Sequence, residues 1–354
     1  MYTLGIDIGS SSVKAAIWDA DKKRAAGRAQ YPAKEQPIQV PRAGWAEQDP
    51  EMWWAHTQAA VRGALADAGV PARAVGAIGI SYQMHGLVLT DKAGQVLRPS
   101  IIWCDSRAVP YGEAAAEKIG NKALAENLLN SPGNFTAAKL AWVKDNDKEV
   151  YAKTAKIMLP GDYIAMKLSG EATTTATGLS EGIFWDFAKG GISDDVLGAF
   201  GFSPDILPRI VPAIGEQVHL SGSAAQSLGM RPGIPVAYRA GDQPNNALSL
   251  NVLQPGEVAA TAGTSAVMYA VTDKEVYDPQ WRVNTFLHAN HTPRQKRNGV
   301  LLCINGSGIA YQWLRKTTAH QGSQPTYEEL NQWAAHAGAG AKGLRFFPFG
   351  NGAE

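Results

Sequence analysis

Cysteine is nearly absent: Cys104 and Cys303 are the only two in 354 residues. Two cysteines can form neither a disulfide framework nor a cysteine-based zinc cluster, and a reduced, cytoplasmic setting is expected. Excess charge is missing as well. Lys plus Arg number 33 and Asp plus Glu 32, a formal balance of +1, which argues against a broad nucleic-acid-binding face and leaves room only for a local basic patch. No apolar run reaches the roughly 18 residues that a membrane span needs. Asp7 interrupts the apolar opening too early for a signal-peptide core. The phosphate-loop pattern Gly-x-x-x-x-Gly-Lys-Ser/Thr does not occur. A literal Gly-x-Gly-x-x-Gly at Gly338–Gly343 follows a helical stretch, Tyr327–His336, where the dinucleotide motif needs a strand. What is present is apolar material: 45% hydrophobic and 18% charged residues, which excludes intrinsic disorder. The length suits about two domains.

Residues 2–8, 13–18 and a stretch ending near Tyr31 alternate as strands around small polar turns, so the chain opens as an antiparallel meander. Asp49-Pro50 marks a helix start, with Trp53, Ala60, Val61, Ala64 and Leu65 on one periodic face. Ala74–Ser81 and Gly86–Thr90 read as short strands, 107–168 as mainly helical, and Ile234–Tyr238 as a strand running through Gly241-Asp242 into a helix that ends near Leu250. Glu257–Thr261, the turn Ala262–Ser265 and Ala266–Thr272 then repeat the opening strand–turn–strand pattern. Either a duplicated lobe or two unrelated hairpins would look like this.

Asp7-Ile-Gly9-Ser-Ser-Ser12-Val-Lys14 is the richest segment. Successive N–H groups in a tight turn form an anion nest, to which the Ser10, Ser11 and Ser12 hydroxyls add donors, and Asp7 could hold a hydrated Mg²⁺ against a phosphate. A polar hairpin turn is the plain alternative. Gly263, Thr264 and Ser265 would supply a facing loop, so that two turns clamp a triphosphate. Asp242, at a strand-to-helix junction that faces the ligand crevice in α/β folds, could accept a proton from an attacking hydroxyl or simply cap its helix. Gln83-Met84-His85-Gly86 and Trp103-Cys104-Asp105-Ser106-Arg107 place polar groups and a flat aromatic face at strand ends, which suits a ligand with many hydroxyls. A core histidine and an Asp–Arg surface pair are the corresponding alternatives.

Those segments, together with Asn134–Val143 and Pro160-Gly161-Asp162-Tyr163, occur in one order, and in that order the chain resembles the FGGY family of carbohydrate kinases, nearest its xylulose-phosphorylating branch. The resemblance runs from Met1 to Glu354. It implies an α/β, actin-like, ribonuclease-H-like pair of lobes: 1–250 as the sugar-binding lobe with the first phosphate loop and the base, 251–354 as the start of a second lobe. It implies ATP-dependent phosphorylation of a ketose, D-xylulose first, with Mg²⁺. Asp242 then corresponds to the general base and Asp7 to the metal-linked carboxylate. Gly9 to Ser12 with Lys14, and Gly263 to Ser265, correspond to the ATP phosphate loops. Met84, His85, Asp242 and Gln243 then correspond to the ketose contacts, and Gln83, Trp103 and Asp105 join the sugar-binding set by residue type. The implied partners are a small-molecule sugar and ATP, with no nucleic acid and no membrane; a homodimer is compatible with the family's varied assemblies.

Several positions depart from the family pattern. Arg239 stands where a glycine is usual and is expected to narrow or charge the cleft, Gln243 stands for Asn, and Asn134 for a glycine or an aromatic. The family's adenine-binding segment would lie past Glu354, so a fragment is expected, and with it three further readings: another ketose or polyol as substrate, a sugar-binding module without catalysis, or an actin-like ATPase.

Overall fold

The computed structural model describes residues 1–263, 266–304, 306–319 and 323–346. Thr264, Ser265 and the final Phe347–Glu354 segment lie outside them. The opening meander forms as expected: β1 (Tyr2–Ile8), β2 (Val13–Asp19) and β3 (Arg24–Tyr31) pair antiparallel. β4 (Val75–Tyr82) lies parallel to β1 on its other side and β6 (Pro235–Gly241) parallel to β4, with β5 (Ile214–His219) antiparallel at the edge. The order is β5-β6-β4-β1-β2-β3.

The two-residue period of a strand sorts the faces. Leu4, Ile6, Ile8, Val13, Ala15 and Ile17 are buried beneath the helix α1 (Pro50–Ala68), while Asp7 and Lys14 point the other way. Asp49 caps α1 by accepting from Glu51 N–H at 2.9 Å. The helix can lie this close to β3 because of Gly27, where a Cβ would sit 2.3 Å from Ala68 N.

The expected helical stretch 107–168 is interrupted. Lys156–Met158 is a strand, antiparallel to Val88–Thr90, because this short apolar run finds an unpaired strand edge. Helices occupy Val109–Ile119, α2 (Thr136–Asn146) and α3 (Pro160–Ser169), followed by α4 (Ala176–Glu181). β6 runs directly into α5 (Asp242–Ser249).

The second sheet is wholly antiparallel: β7 (Val258–Ala262), β8 (Ala266–Thr272), β9 (Asn284–Leu287) and β10 (Asn298–Ile304), in the order β7-β8-β10-β9. β10 leads to α6 (Ser307–Thr317). In space β7-β8-β10 followed by α6 parallels β1-β2-β3 followed by α1, while β9, which precedes β10 in the chain, adds an edge strand that the first sheet's meander lacks. β9 ties the halves together. Asn130 donates to Thr285 O at 2.6 Å and accepts from Thr285 N–H at 2.8 Å, and Leu287 N–H donates to Ser180 Oγ at 2.9 Å. Among the described residues no helix is long and apolar enough to cross a membrane.

Candidate active site

Three adjacent strands of the first sheet end level with one another, Ile8 and Gly241 both opposite Tyr82. β1 ends on the Gly9–Ser12 turn, β4 on Gln83–Gly86, and β6 on Gly241-Asp242, while β9 brings Phe286 from the second sheet.

The turn after β1 is braced from behind. Gln36 Nε2 donates to the carbonyls of Gly9 (2.9 Å) and Ser10 (3.0 Å), Gln48 Nε2 to Ser10 O (2.7 Å), and Gln36 N–H to Ser11 O (2.8 Å). With the carbonyls taken, the Ser10 and Ser11 N–H groups have no acceptor among the described residues, the arrangement of an anion nest. Asp7 faces Lys14 across the hairpin, 3.6 Å apart, both partly exposed. A recess of about 660 Å³ runs alongside this pair, floored by Gly5, Ala16 and Gly79 and walled by Tyr238 and Asn245. In the second sheet the Gly263 carbonyl accepts from Gly308 N–H at 3.0 Å, at the start of α6. The expected partners of Gly263, Thr264 and Ser265, are outside the described residues.

Asp242 opens α5 and is partly exposed. Burial of its carboxyl and the charge of nearby Asp7 push its pKa up to about 7, against hydrogen bonds from Gln243 that pull it down. It is therefore poised to hold or release a proton near neutrality. Gly241 is required here: a Cβ would lie 2.5 Å from Met84 Cγ and 2.6 Å from Glu181 Oε2.

His85 sits in the left-handed region, φ +61°, which costs a non-glycine residue about 1–2 kcal/mol. Its contacts hold it there. His85 N–H donates to Glu181 Oε1 (3.3 Å), its carbonyl accepts from Lys139 Nζ (2.9 Å), and Nδ1 lies 3.0 Å from the Glu181 carbonyl. A carbonyl only accepts, so Nδ1 carries the proton and Nε2 is a bare acceptor. Burial and the Lys139 charge lower its pKa to about 3, so the ring is neutral. Phe135 (4.7 Å between ring centres) and Phe286 (5.4 Å) pack against it.

Other expected contacts fall differently. Gln83 is buried and donates to Gln48 Oε1 at 3.0 Å, which also accepts from Trp53 Nε1 at 3.1 Å. Through Gln48 its amide N–H supports the Ser10 turn, while its Oε1 has no hydrogen-bond partner among the described residues. Asp105 is fully buried, with both oxygens engaged by Arg107 and one also accepting from Ala46 N–H at 2.6 Å. Arg107 in turn lies over the Trp45 ring at 3.7 Å. Asp105 is thus a scaffold carboxylate, its acceptor capacity used. Trp103, one-third exposed, keeps an open face. Met84 is buried against Gly241, and Gln243 is partly exposed beside Asp242. Ser12 is buried and Ser11 exposed.

Arg239 does not enter the cleft. It is fully buried on the opposite face of β6, its Nε 3.2 Å from Asp162 Oδ1 and its Nη2 donating to Thr173 Oγ1 at 3.2 Å. The alternation of β6 sends Tyr238 to the recess and Arg239 away from it.

Sequence reasoning alone misses Glu181, Gln36, Gln48 and Phe286. A single carboxyl in the otherwise small and apolar run Leu179–Phe184 is the one available signal. Among the described residues no three His, Cys, Asp or Glu side chains form a metal cage. Mg²⁺ usually takes only one or two carboxylates, with water and substrate phosphates, and the partly exposed Asp7 fits that use.

The model of the FGGY family of carbohydrate kinases, N-terminal domain, matches residues 2–249. The chain is 32% identical over 289 residues to a xylulose kinase of Klebsiella pneumoniae, covering 82% of this chain and 58% of that protein. To a xylulose kinase of Bacillus subtilis it is 29% identical over 348 residues, covering 98% of this chain and 68% of the other. The crystal structure of xylulose kinase from Rhodospirillum rubrum superposes with a TM-score of 0.88 at 27% identity, over 100% of this chain and 70% of that one. This chain thus spans less than two thirds of the length of the Klebsiella protein. With the two-sheet, actin-like and ribonuclease-H-like architecture shared throughout and the family model matched across the first sheet and its helices, the chain belongs to the FGGY family of carbohydrate kinases.

Proposed function

We propose that this chain carries the acceptor site of an ATP-dependent ketose kinase, with D-xylulose as substrate and D-xylulose 5-phosphate as product. Residues 1–250 would form the sugar-binding lobe and 251–354 would contribute to the nucleotide side. The observation that carries this reading is Asp242: a carboxyl at a strand–helix junction, beside Asp7, whose pKa of about 7 suits a general base. In the reaction, the ketose C5 hydroxyl gives its proton to the Asp242 carboxylate while its oxygen bonds to the γ-phosphorus of ATP, and the bond to the β-bridging oxygen breaks to release ADP. The Ser10 and Ser11 N–H groups, with Lys14, would receive phosphate oxygens. Asp7 would hold Mg²⁺, which supplies charge neutralisation on the phosphates. His85 Nε2, Trp103 and Gln243 would orient the sugar.

The test is ADP release coupled to a panel of ketoses and polyols. D-xylulose-dependent release that Asp242→Ala abolishes supports the proposal. Equal release without sugar points to an ATPase and sinks it. Sugar binding without transfer reduces it to a binding module.

A further inference from the structure

The Met84–His85–Gly86 turn is held on both sides by groups that the reaction above does not use. Glu181 closes α4, and the carbonyls of a helix's last turn lack intrahelical partners. Its own carbonyl therefore takes the His85 Nδ1–H, while its side chain takes the His85 N–H. Lys139, fully buried, reaches the His85 carbonyl from α2. Glu181 itself is 2% exposed, and its Oε2 occupies the space that Gly241 leaves without a Cβ. One residue thus touches the sugar-side turn and the strand end that carries Asp242.

We propose that Glu181 is a positioning residue of the acceptor site: it fixes the His85 backbone and tautomer so that Nε2 is presented as a bare acceptor, which selects a hydroxyl and rejects a carboxylate at that point of the substrate. This rests on the ketose-kinase reading for what binds, but not for how His85 is held. An acceptor-only nitrogen meets a hydroxyl as a partner and a carboxylate as lone pair against lone pair. Protonation does not rescue the second case, since burial and Lys139 keep the imidazole neutral. Burial and the neighbouring Asp242 and Asp162 charges also raise the pKa of Glu181, against its bond from His85 N–H and the Lys139 charge. A neutral carboxyl still accepts the His85 N–H through its carbonyl oxygen. A site built to bond a hydroxyl discriminates strongly against an analogue that cannot donate.

The test has two arms. Nitrogen-15 spectra of the labelled chain, with His85 assigned by its loss in His85→Gln, read the tautomer. Calorimetry reads binding of D-xylulose and D-gluconate. The wild type is expected to show one neutral Nδ1–H tautomer and to favour D-xylulose. Glu181→Gln, which keeps an acceptor, should preserve both. Glu181→Met, of similar volume, keeps the backbone carbonyl that fixes the tautomer but loses the acceptor for His85 N–H, so it should keep the Nδ1–H tautomer yet show at least about tenfold weaker D-xylulose binding and a narrowed preference as the His85 turn loosens. An Nε2–H tautomer in the wild type overturns the proposal whether or not the Met variant folds, as does a folded Met variant that binds D-xylulose and D-gluconate as the wild type does. Failure of the wild type to bind any ketose would refute the ketose-kinase reading, while the spectra still decide the role of Glu181.

Discussion

Replacing Gly241 by alanine would load the most crowded point of the site. The new Cβ would stand 2.5 Å from Met84 Cγ, 2.6 Å from Glu181 Oε2 and 3.1 Å from Met84 Sδ. Met84 is unbranched and can turn aside. The Glu181 carboxyl is held by His85 N–H and enclosed on all sides, so its displacement drags the His85 turn with it. Overpacking of this kind costs about 1–3 kcal/mol. At roughly 2–4 °C per kcal/mol for domains of 150–250 residues, the expected fall in Tm is about 2–12 °C. Differential scanning calorimetry measures it, and a ketose titration of the same variant should show weakened binding. Gly198→Ala is the control. Its Cβ meets nothing within 4 Å inside the helix Asp194–Phe200, so it should stabilise by about 0.5–1 kcal/mol. A Gly241→Ala chain with unchanged Tm and unchanged ketose binding would refute the close packing of Gly241 against Met84 and Glu181.

Asp242 gives a stability prediction with a definite sign. Its pKa is raised in the folded state from 3.8 to about 7, so the folded chain binds more protons than the unfolded chain between those values. Stability contributed by the protonated carboxyl therefore declines as pH rises through that window, and Asp242→Asn should raise Tm more at pH 8 than at pH 4; an equal gain at both would contradict the shift. Arg239→Met strands the Asp162 carboxyl in the core, where breaking a buried pair costs about 3–5 kcal/mol, and urea unfolding should register it; the double change Arg239→Met with Asp162→Leu should recover much of the loss. Trp103→Ala should weaken ketose binding without lowering Tm, because the ring is partly exposed; a large Tm loss would make Trp103 a core residue.

The legible parts of the fold are those governed by local rules. Strand alternation separates Leu4, Ile6 and Ile8 from Asp7, and Asp49-Pro50 announces the first helix, because a period and a cap are written in neighbouring residues. The strand at Lys156–Met158 is hidden inside a helical pattern because its partner, Val88–Thr90, is remote in sequence. The site shows the same division. Asp7, Asp242 and His85 stand at strand ends that local pattern marks. Gln83 and Asp105 have residue types that suit a sugar, yet Gln48 and Ala46, remote in sequence, engage the Gln83 amide N–H and an Asp105 oxygen, and Arg107, two residues along, takes both Asp105 oxygens. Arg239 belongs by its motif to the cleft, and only the alternation of β6 together with Asp162 on α3 turns it into the core. Glu181 acquires its role solely through the tertiary approach of α4 to the His85 turn.

On the proposed reading, the strand ends around His85 and Asp242 bind a neutral polyhydroxy sugar. Calorimetric titration of D-xylulose into the chain and into His85→Leu tests it most directly. Saturable binding to the wild type is expected, with at least about a tenfold loss, some 1.4 kcal/mol, in the variant. Equal binding by both, or none by a correctly folded wild type, would contradict it.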